Sequence, residues 1–291
     1  MPGFTDSHVH LWESENDLLL YLANGVTQIR DMNSLPVHLR WRNEISEGRP
    51  GPDLFLVAPQ FATFGVLEGF FVGWTQHKTI VRSEKQINQA VESYISQGYD
   101  AVKASSFLDE KGYTALSAAT KNNDVQLVGH IPLAVGLEDV WRSNQTEIAH
   151  VEELMKALRD EFGGYNSETT TEFLEFVKSR SEEVANNLIE KDISVTSTMT
   201  LIDSLHEQKS NLDTVLRAAP LKYENPGISE GTIITSRGMG WLPDVNIYRW
   251  PEGWDEERRA ESKVYWQTYW FGIYNTFFIL FNNQTTHKKN H

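Results

Sequence analysis

Cysteine is absent from this 291-residue chain. That excludes disulfides, thiol nucleophiles and cysteine-ligated zinc, and it leaves the redox compartment open. Positive charge is scarce: 26 lysines and arginines stand against 40 aspartates and glutamates, a formal net charge of -14. Nucleic acid and anionic membrane surfaces would repel such a chain, so neither is expected as a partner. Long apolar runs are lacking too. The most apolar stretch, Tyr269 to Phe281, is interrupted by Asn275 and Thr276 and is too short to span a bilayer. No leader-like stretch precedes Pro2, so the default expectation is a soluble, cytoplasmic protein. Neither an internal repeat nor a low-complexity tract stands out. What remains is 40% hydrophobic and 23% charged, an ordinary globular composition. The length suffices to bury a full core, as one large α/β domain or two small ones.

Short apolar runs alternate with longer helical patterns. Phe4–Leu11, Val26–Met32, Asp53–Gln60, Ala101–Ser106, Gln126–Ile131, Thr146–Val151 and Ile193–Leu201 read as strands. Glu84–Gln97, Tyr113–Asn122, Leu137–Arg142, Glu168–Glu190, Ser204–Arg217 and Glu256–Tyr269 read as helices, with Ser83 and Ser167 placed to cap two of them. Such alternation predicts βαβ units and a parallel sheet. The strands are one short of a (β/α)₈ TIM-type barrel, and the run Thr276–Phe281 is the expected eighth. The expected organisation is therefore one α/β barrel over residues 1–281, incomplete at its eighth strand, followed by a polar tail over 282–291. Ala218 to Trp254 reads as a long loop.

The stretch PGFTDSHVHL, from Pro2 to Leu11, carries the first chemical signal. In a strand, alternate side chains share a face, so Asp6, His8 and His10 point one way. Catalytic groups of a barrel gather at its strand C-termini. His8 and His10 end the first strand, Lys103 lies in the fourth, His130 ends the fifth and His150 lies near the end of the sixth. Each has a bland alternative. Lys103 would snorkel to the barrel mouth, His130 would be a hydrogen-bonded core histidine, and His150 would pair with Glu152 or Glu153. Recurrence at equivalent places in separate βα units is what favours a metal site. His38, His77, His206, His287 and His291 lack that context and read as solvated or structural.

Taken together, PGFTDSHVHL, then GVTQIRD, then separate strands carrying lysine, histidine and histidine resemble the amidohydrolase superfamily, in its imidazolonepropionase- and prolidase-like branch. The resemblance runs from Pro2 to about Trp254. It implies divalent metal ions, zinc above all, one or two per chain. His8 and His10 would bind the first. Lys103, as its CO₂ adduct, would bridge to the second, which His130 and His150 would bind. The implied reaction is hydrolysis of a small amide, a cyclic amide or a dipeptide by a metal-activated hydroxide.

Two departures from the family accompany it. The family's aspartate after the eighth strand falls here on Asn282 or Asn283, and an amide is a weak ligand and no general base. The accessory β-sandwich has no counterpart either, so the chain resembles a member shortened at both ends. Three readings follow: a hydrolase with an incomplete ligand set, a catalytically impaired binding relative, or an unrelated HxH zinc protein in which Lys103 has no role. An open barrel edge would also favour self-association. Specificity is expected in the loops Phe61–Trp74 and Ala218–Trp254, where Phe64, Phe70, Phe71, Trp74, Trp241 and Trp250 would line an apolar pocket. Arg237 is the candidate for a substrate carboxylate.

Overall fold

The computed structural model describes residues 2–12, 14–166, 168–204 and 253–287, with Glu207, Thr214, Arg217 and Tyr223. It divides into two compact units, Met1–Glu147 with Pro220–Arg237, and Ile148–Ala219 with Gly238–His291.

The first unit alternates strands and helices. Its elements are β1 (Phe4–Val9), α1 (Asn16–Ala23), β2 (Val26–Asp31), α2 (Pro36–Ser46), β3 (Asp53–Leu56), β4 (Phe61–Ala62), α3 (Val66–Gln76) and β5 (Thr79–Ile80). They continue with α4 (Glu84–Gln97), β6 (Ala101–Ala104), α5 (Glu110–Asn122), β7 (Gln126–Gly129), α6 (Leu137–Arg142) and β8 (Gln145–Ile148). β1, β2 and β3 pair in parallel, in chain order. A parallel bridge from Val57 to Ala101 carries that order on to β6, which pairs in parallel with β7. On the edge of β6 opposite β7, the one that Val57 meets, Phe61 of β4 pairs with Ala104, and β5 pairs in parallel with β4.

Burial explains why these runs are strands. β6 is covered on both faces, so all four of its residues are buried and it reads as a continuous apolar run broken only by Lys103. Leu11, Leu18, Ile29, Leu56, Phe61, Val91, Leu116 and Leu127 form one core between the strands and their helices. Each such side chain contributes about 1.5–3 kcal/mol when taken from water. Helix ends follow local chemistry. The Ser83 hydroxyl accepts from Gln86 N–H at 3.3 Å to cap α4, which stops at Gly98 in the left-handed conformation.

The second unit is mainly helical: α7 (Val151–Phe162), α8 (Thr170–Glu190), the short β9 (Ser194–Val195) and α9 (Glu256–His287). Thr196 N–H donates to Ile148 O at 3.0 Å beside β9. α9 packs on α8 and α7.

Several expectations change here. Thr276–Phe281 is not an eighth strand but lies inside α9, and among the described residues no strand follows β9. The reason is periodicity. The buried residues Trp266, Ile273, Thr276 and Leu280 recur at helical spacing, whereas Phe278, which a strand would bury beside Thr276 and Leu280, is exposed. The same helix runs through Asn282 and Asn283 to His287, across most of the stretch read as tail. The seventh predicted strand shrinks to Ser194–Val195, and Val151 opens α7 instead of ending the sixth. The loop Phe61–Trp74 contains β4 and most of α3, where Phe70, Phe71 and Trp74 are exposed. α8 starts after Thr169, whose side chain makes no capping hydrogen bond; Ser167 lies outside the described residues, as do His206, Arg237, Trp241, Trp250, His291 and nearly all of 205–252. No described helix is long and apolar enough to cross a membrane.

Candidate functional site

β1 sets the first two imidazoles side by side. His8 lies in the strand and His10 just beyond it, and their ring centroids are 5.4 Å apart, edge to face. The Asp6 carboxylate turns back to accept from His8 N–H at 3.2 Å. Asp6 therefore braces the strand, which is irregular between Asp6 and Val9. Beyond His10 the chain turns sharply: Trp12 has φ 48°, and its indole stacks on the His10 ring at 5.8 Å.

Lys103 is fully buried on β6, opposite Val128 of β7. β7 ends in Gly129, with φ 119°, and His130 follows at once, its N–H donating to Ala104 O at 3.1 Å. A Cβ on Gly129 would meet Ala104 O at 2.5 Å and Lys103 Cγ at 2.6 Å. Only glycine lets the two strands close this tightly beside the lysine.

Electrostatics ties these groups together. The His10 imidazole is held down to about 3, first by burial and then by the positive charge of Lys103, with His130 and Lys78 acting the same way and Asp31 opposing them. A ring so placed is neutral, and its Nδ1 has no hydrogen-bond partner among the described residues. Lys78 reaches the neighbourhood from the turn before β5. Its ammonium donates to Ser105 Oγ at 3.1 Å, lies over Phe107, and is lowered to about 8 by burial.

Solved structures with a similar fold include a bottromycin amidohydrolase, with a TM-score of 0.56 at 20% identity over 90% of this chain. The chain shares the fold of that amidohydrolase. An A. niger ochratoxinase shares it, with a TM-score of 0.51 at 13% identity, covering 92% of this chain and 69% of that one. The chain spans about half (53%) of the length of the bottromycin amidohydrolase. No family model and no curated protein matches.

Within this amidohydrolase fold, His8, His10, Lys103 and His130 belong to the first unit, where His10 feels Lys103 and His130 and touches His8. His150 belongs to the second unit. It is the residue that precedes α7, and its Nδ1 lies 3.0 Å from Thr198 Oγ1. The carboxylates once expected beside it are engaged elsewhere: Glu152 and Glu153 both pair with Lys156, and the Tyr269 hydroxyl donates to Glu152.

The donor chemistry of the first unit fits a divalent ion at the histidine pair, because a neutral, buried imidazole nitrogen without a hydrogen bond is what such an ion binds. No group of three or more histidine, aspartate or glutamate side chains forms a metal cluster among the described residues. A lysine enters a ligand set only after losing its ammonium character, since an ammonium donates and cannot coordinate.

Two ion-pairing contacts escaped the sequence reading, in which His38 was read as solvated or structural. Asp31 ends β2 and His38 lies on α2, both fully buried and 2.6 Å apart at Oδ2 and Nδ1. Arg30 donates to Glu147 of β8 at 2.5 Å and to Ser7 O at 2.8 Å. The signal for Arg30 and Asp31 was present, in GVTQIRD, as a charge pair closing an apolar strand. His38 had none, because α2 itself went unread.

Proposed function

We propose that this chain is a metal-dependent amidohydrolase acting on the carbon–nitrogen bond of a small amide, cyclic amide or dipeptide. The observation that carries the reading is the surroundings of His10: a neutral imidazole beside His8, under the combined influence of Lys103 and His130. His8 and His10 would hold one divalent ion, most simply zinc. His130 and His150 would hold a second, and Lys103, carboxylated by CO₂ on its amine, would bridge the two. A bound metal supplies Lewis-acid polarisation of the substrate carbonyl and a nucleophilic hydroxide at neutral pH.

The chain's own residues do the rest. Burial makes a bare Lys103 ammonium costly, which favours its conversion to an anionic oxygen donor close to bound cations. Lys78 adds positive charge beside the site, suited to an anionic substrate group. Arg30, fixed between Ser7 and Glu147, ties β1 and β2 to β8.

A panel of N-acyl amino acids, dipeptides and cyclic amides, assayed before and after chelation, tests this. Turnover should vanish with chelator, return with added zinc, manganese or cobalt, and fall by about 10²-fold or more in His10→Ala, as loss of a metal ligand implies. Turnover indifferent to both treatments would contradict the proposal. In Lys103→Ala, metal content should drop and recover on adding a short carboxylate such as propionate. No recovery would count against the bridging carbamate.

One observation favours a second reading, an impaired relative that binds without turning over. The run expected as the eighth strand is helical, so no described strand brings an aspartate to the place where Asn282 and Asn283 were expected. Loss of a general base costs roughly 10²–10⁴-fold. Bound metal with no turnover on the panel is the result that would select this reading.

A further inference from the structure

We infer that His38 and Asp31 are positioning residues for His10, acting through Trp12. The inference rests on the reading of His10 as a metal ligand, and it adds residues that the HxH motif does not contain.

Trp12 sits in the left-handed region at φ 48°, where a residue with a Cβ stays only if its surroundings hold it. The holding contact comes from His38. The Trp12 carbonyl can only accept, so His38 Nε2 is the donor to it. His38 is fully buried and cannot swing away. Its Nδ1 accepts from Leu35 N–H at 3.0 Å, and its ring lies against the Asp31 carboxylate, with Oδ2 2.6 Å from Nδ1. Both supports are fixed in turn. Leu35 precedes Pro36, which opens α2, so the first turn of that helix has a set φ. Asp31 pairs across the sheet with Val9 and Leu56, and its Oδ1 accepts from Asn33 N–H at 3.3 Å.

Holding the Trp12 peptide holds its indole, which stacks on one side of the His10 ring at 5.8 Å and 29°. His8 meets the same ring edge-on at 5.4 Å. His10 is thereby confined between two rings before any ligand arrives. A purely structural tryptophan would be sunk in the core. Trp12 is only half-buried, and the ring it covers is an imidazole whose Nδ1 has no hydrogen-bond partner among the described residues. Partners of this kind, one step behind the ligands, typically govern metal affinity by 10–100-fold.

Two measurements on the full chain separate the inference from the reading beneath it. The first uses metal-free protein and the imidazole Hε1 resonances, with His10 assigned by its loss in His10→Ala. Trp12 should displace the His10 signal by its ring current. The displacement should vanish in Trp12→Leu, collapse in His38→Ala, and largely survive in His38→Gln, whose side-chain amide can still donate to the Trp12 carbonyl. The second is a zinc titration. His38→Ala and Trp12→Leu should bind about 10–100-fold more weakly than wild type, and His38→Gln should recover most of that loss.

An unshifted His10 signal in wild type, or one unchanged in folded His38→Ala, overturns the inference. So does zinc affinity within about twofold of wild type in both weakened variants, since a partner one step behind the ligands shifts it further. If His38→Ala does not fold, His38→Leu takes its place, since it fills the buried site without offering a donor to the Trp12 carbonyl. Wild-type protein that binds no zinc sinks the ligand reading instead, while the ring-current experiment still decides whether His38 positions His10.

Discussion

Gly129 shows how one residue without a side chain can govern a site. Its positive φ and the close approach of Ala104 O and Lys103 Cγ leave no room for a Cβ. Gly129→Ala should therefore destabilise the protein by about 2–4 kcal/mol, from combined backbone strain and a main-chain clash. Urea denaturation reads this directly; a loss within the ±0.5 kcal/mol typical of surface changes would mean that the strands separate easily here. Tyr113 gives a pH prediction. Its hydroxyl donates to Gln145 Oε1 at 2.8 Å and Ser143 Oγ at 3.0 Å, and burial pushes it up to about 12. The folded chain thus holds this proton more tightly than the unfolded one, whose tyrosine titrates near 10. The stabilisation is complete below pH 10 and is lost as pH rises through about 12. Stability of wild type should fall more steeply over that interval than stability of Tyr113→Phe, and equal slopes would contradict the assignment. His8, His10, Lys103 and His130 were legible as single residues because each breaks or ends an apolar strand. Asp31 and His38 were not legible as a pair. Their meeting depends on where α2 returns to the sheet, which no local pattern records.

Elements were read well where one period dominated. The limits of α4 match the sequence reading because Ser83 and Gly98 mark both ends chemically. The terminal run failed because a short apolar stretch has no decisive period, and strand and helix compete for it. Packing decided: α9 buries Trp266, Ile273, Thr276 and Leu280 along one face. The short helices α1, α2 and α3 were missed for a related reason, since each is brief and mixed in composition, and α3 leaves Phe70, Phe71 and Trp74 exposed. Gly272 tests the packing of α9. In an ordinary helix interior, Gly→Ala stabilises by about 0.5–1 kcal/mol. Here a Cβ would fall on the Tyr165 hydroxyl, and the Tyr165 ring is stacked on Phe173 at 4.3 Å and cannot easily yield. Gly272→Ala should destabilise, and combining it with Tyr165→Phe should recover part of the loss. A stabilising Gly272→Ala would show that α9 does not pack against Tyr165.

At the scale of the whole molecule, alternation of strand and helix was the most legible property, and it led to the fold shared with the bottromycin amidohydrolase and the ochratoxinase. The misreading was the eighth strand, because Thr276–Phe281 lies in a helical segment. The acidic balance of the chain makes the cation site proposed at its histidine pair electrostatically reasonable, and the His10 imidazole would be its donor. Metal content per chain, measured by elemental analysis on monodisperse protein, tests the central claim most directly. About one to two divalent ions per wild-type chain, falling by about one in both His8→Ala and His10→Ala, is the predicted result. Wild-type protein without stoichiometric metal, or histidine variants that retain all of it, would contradict it.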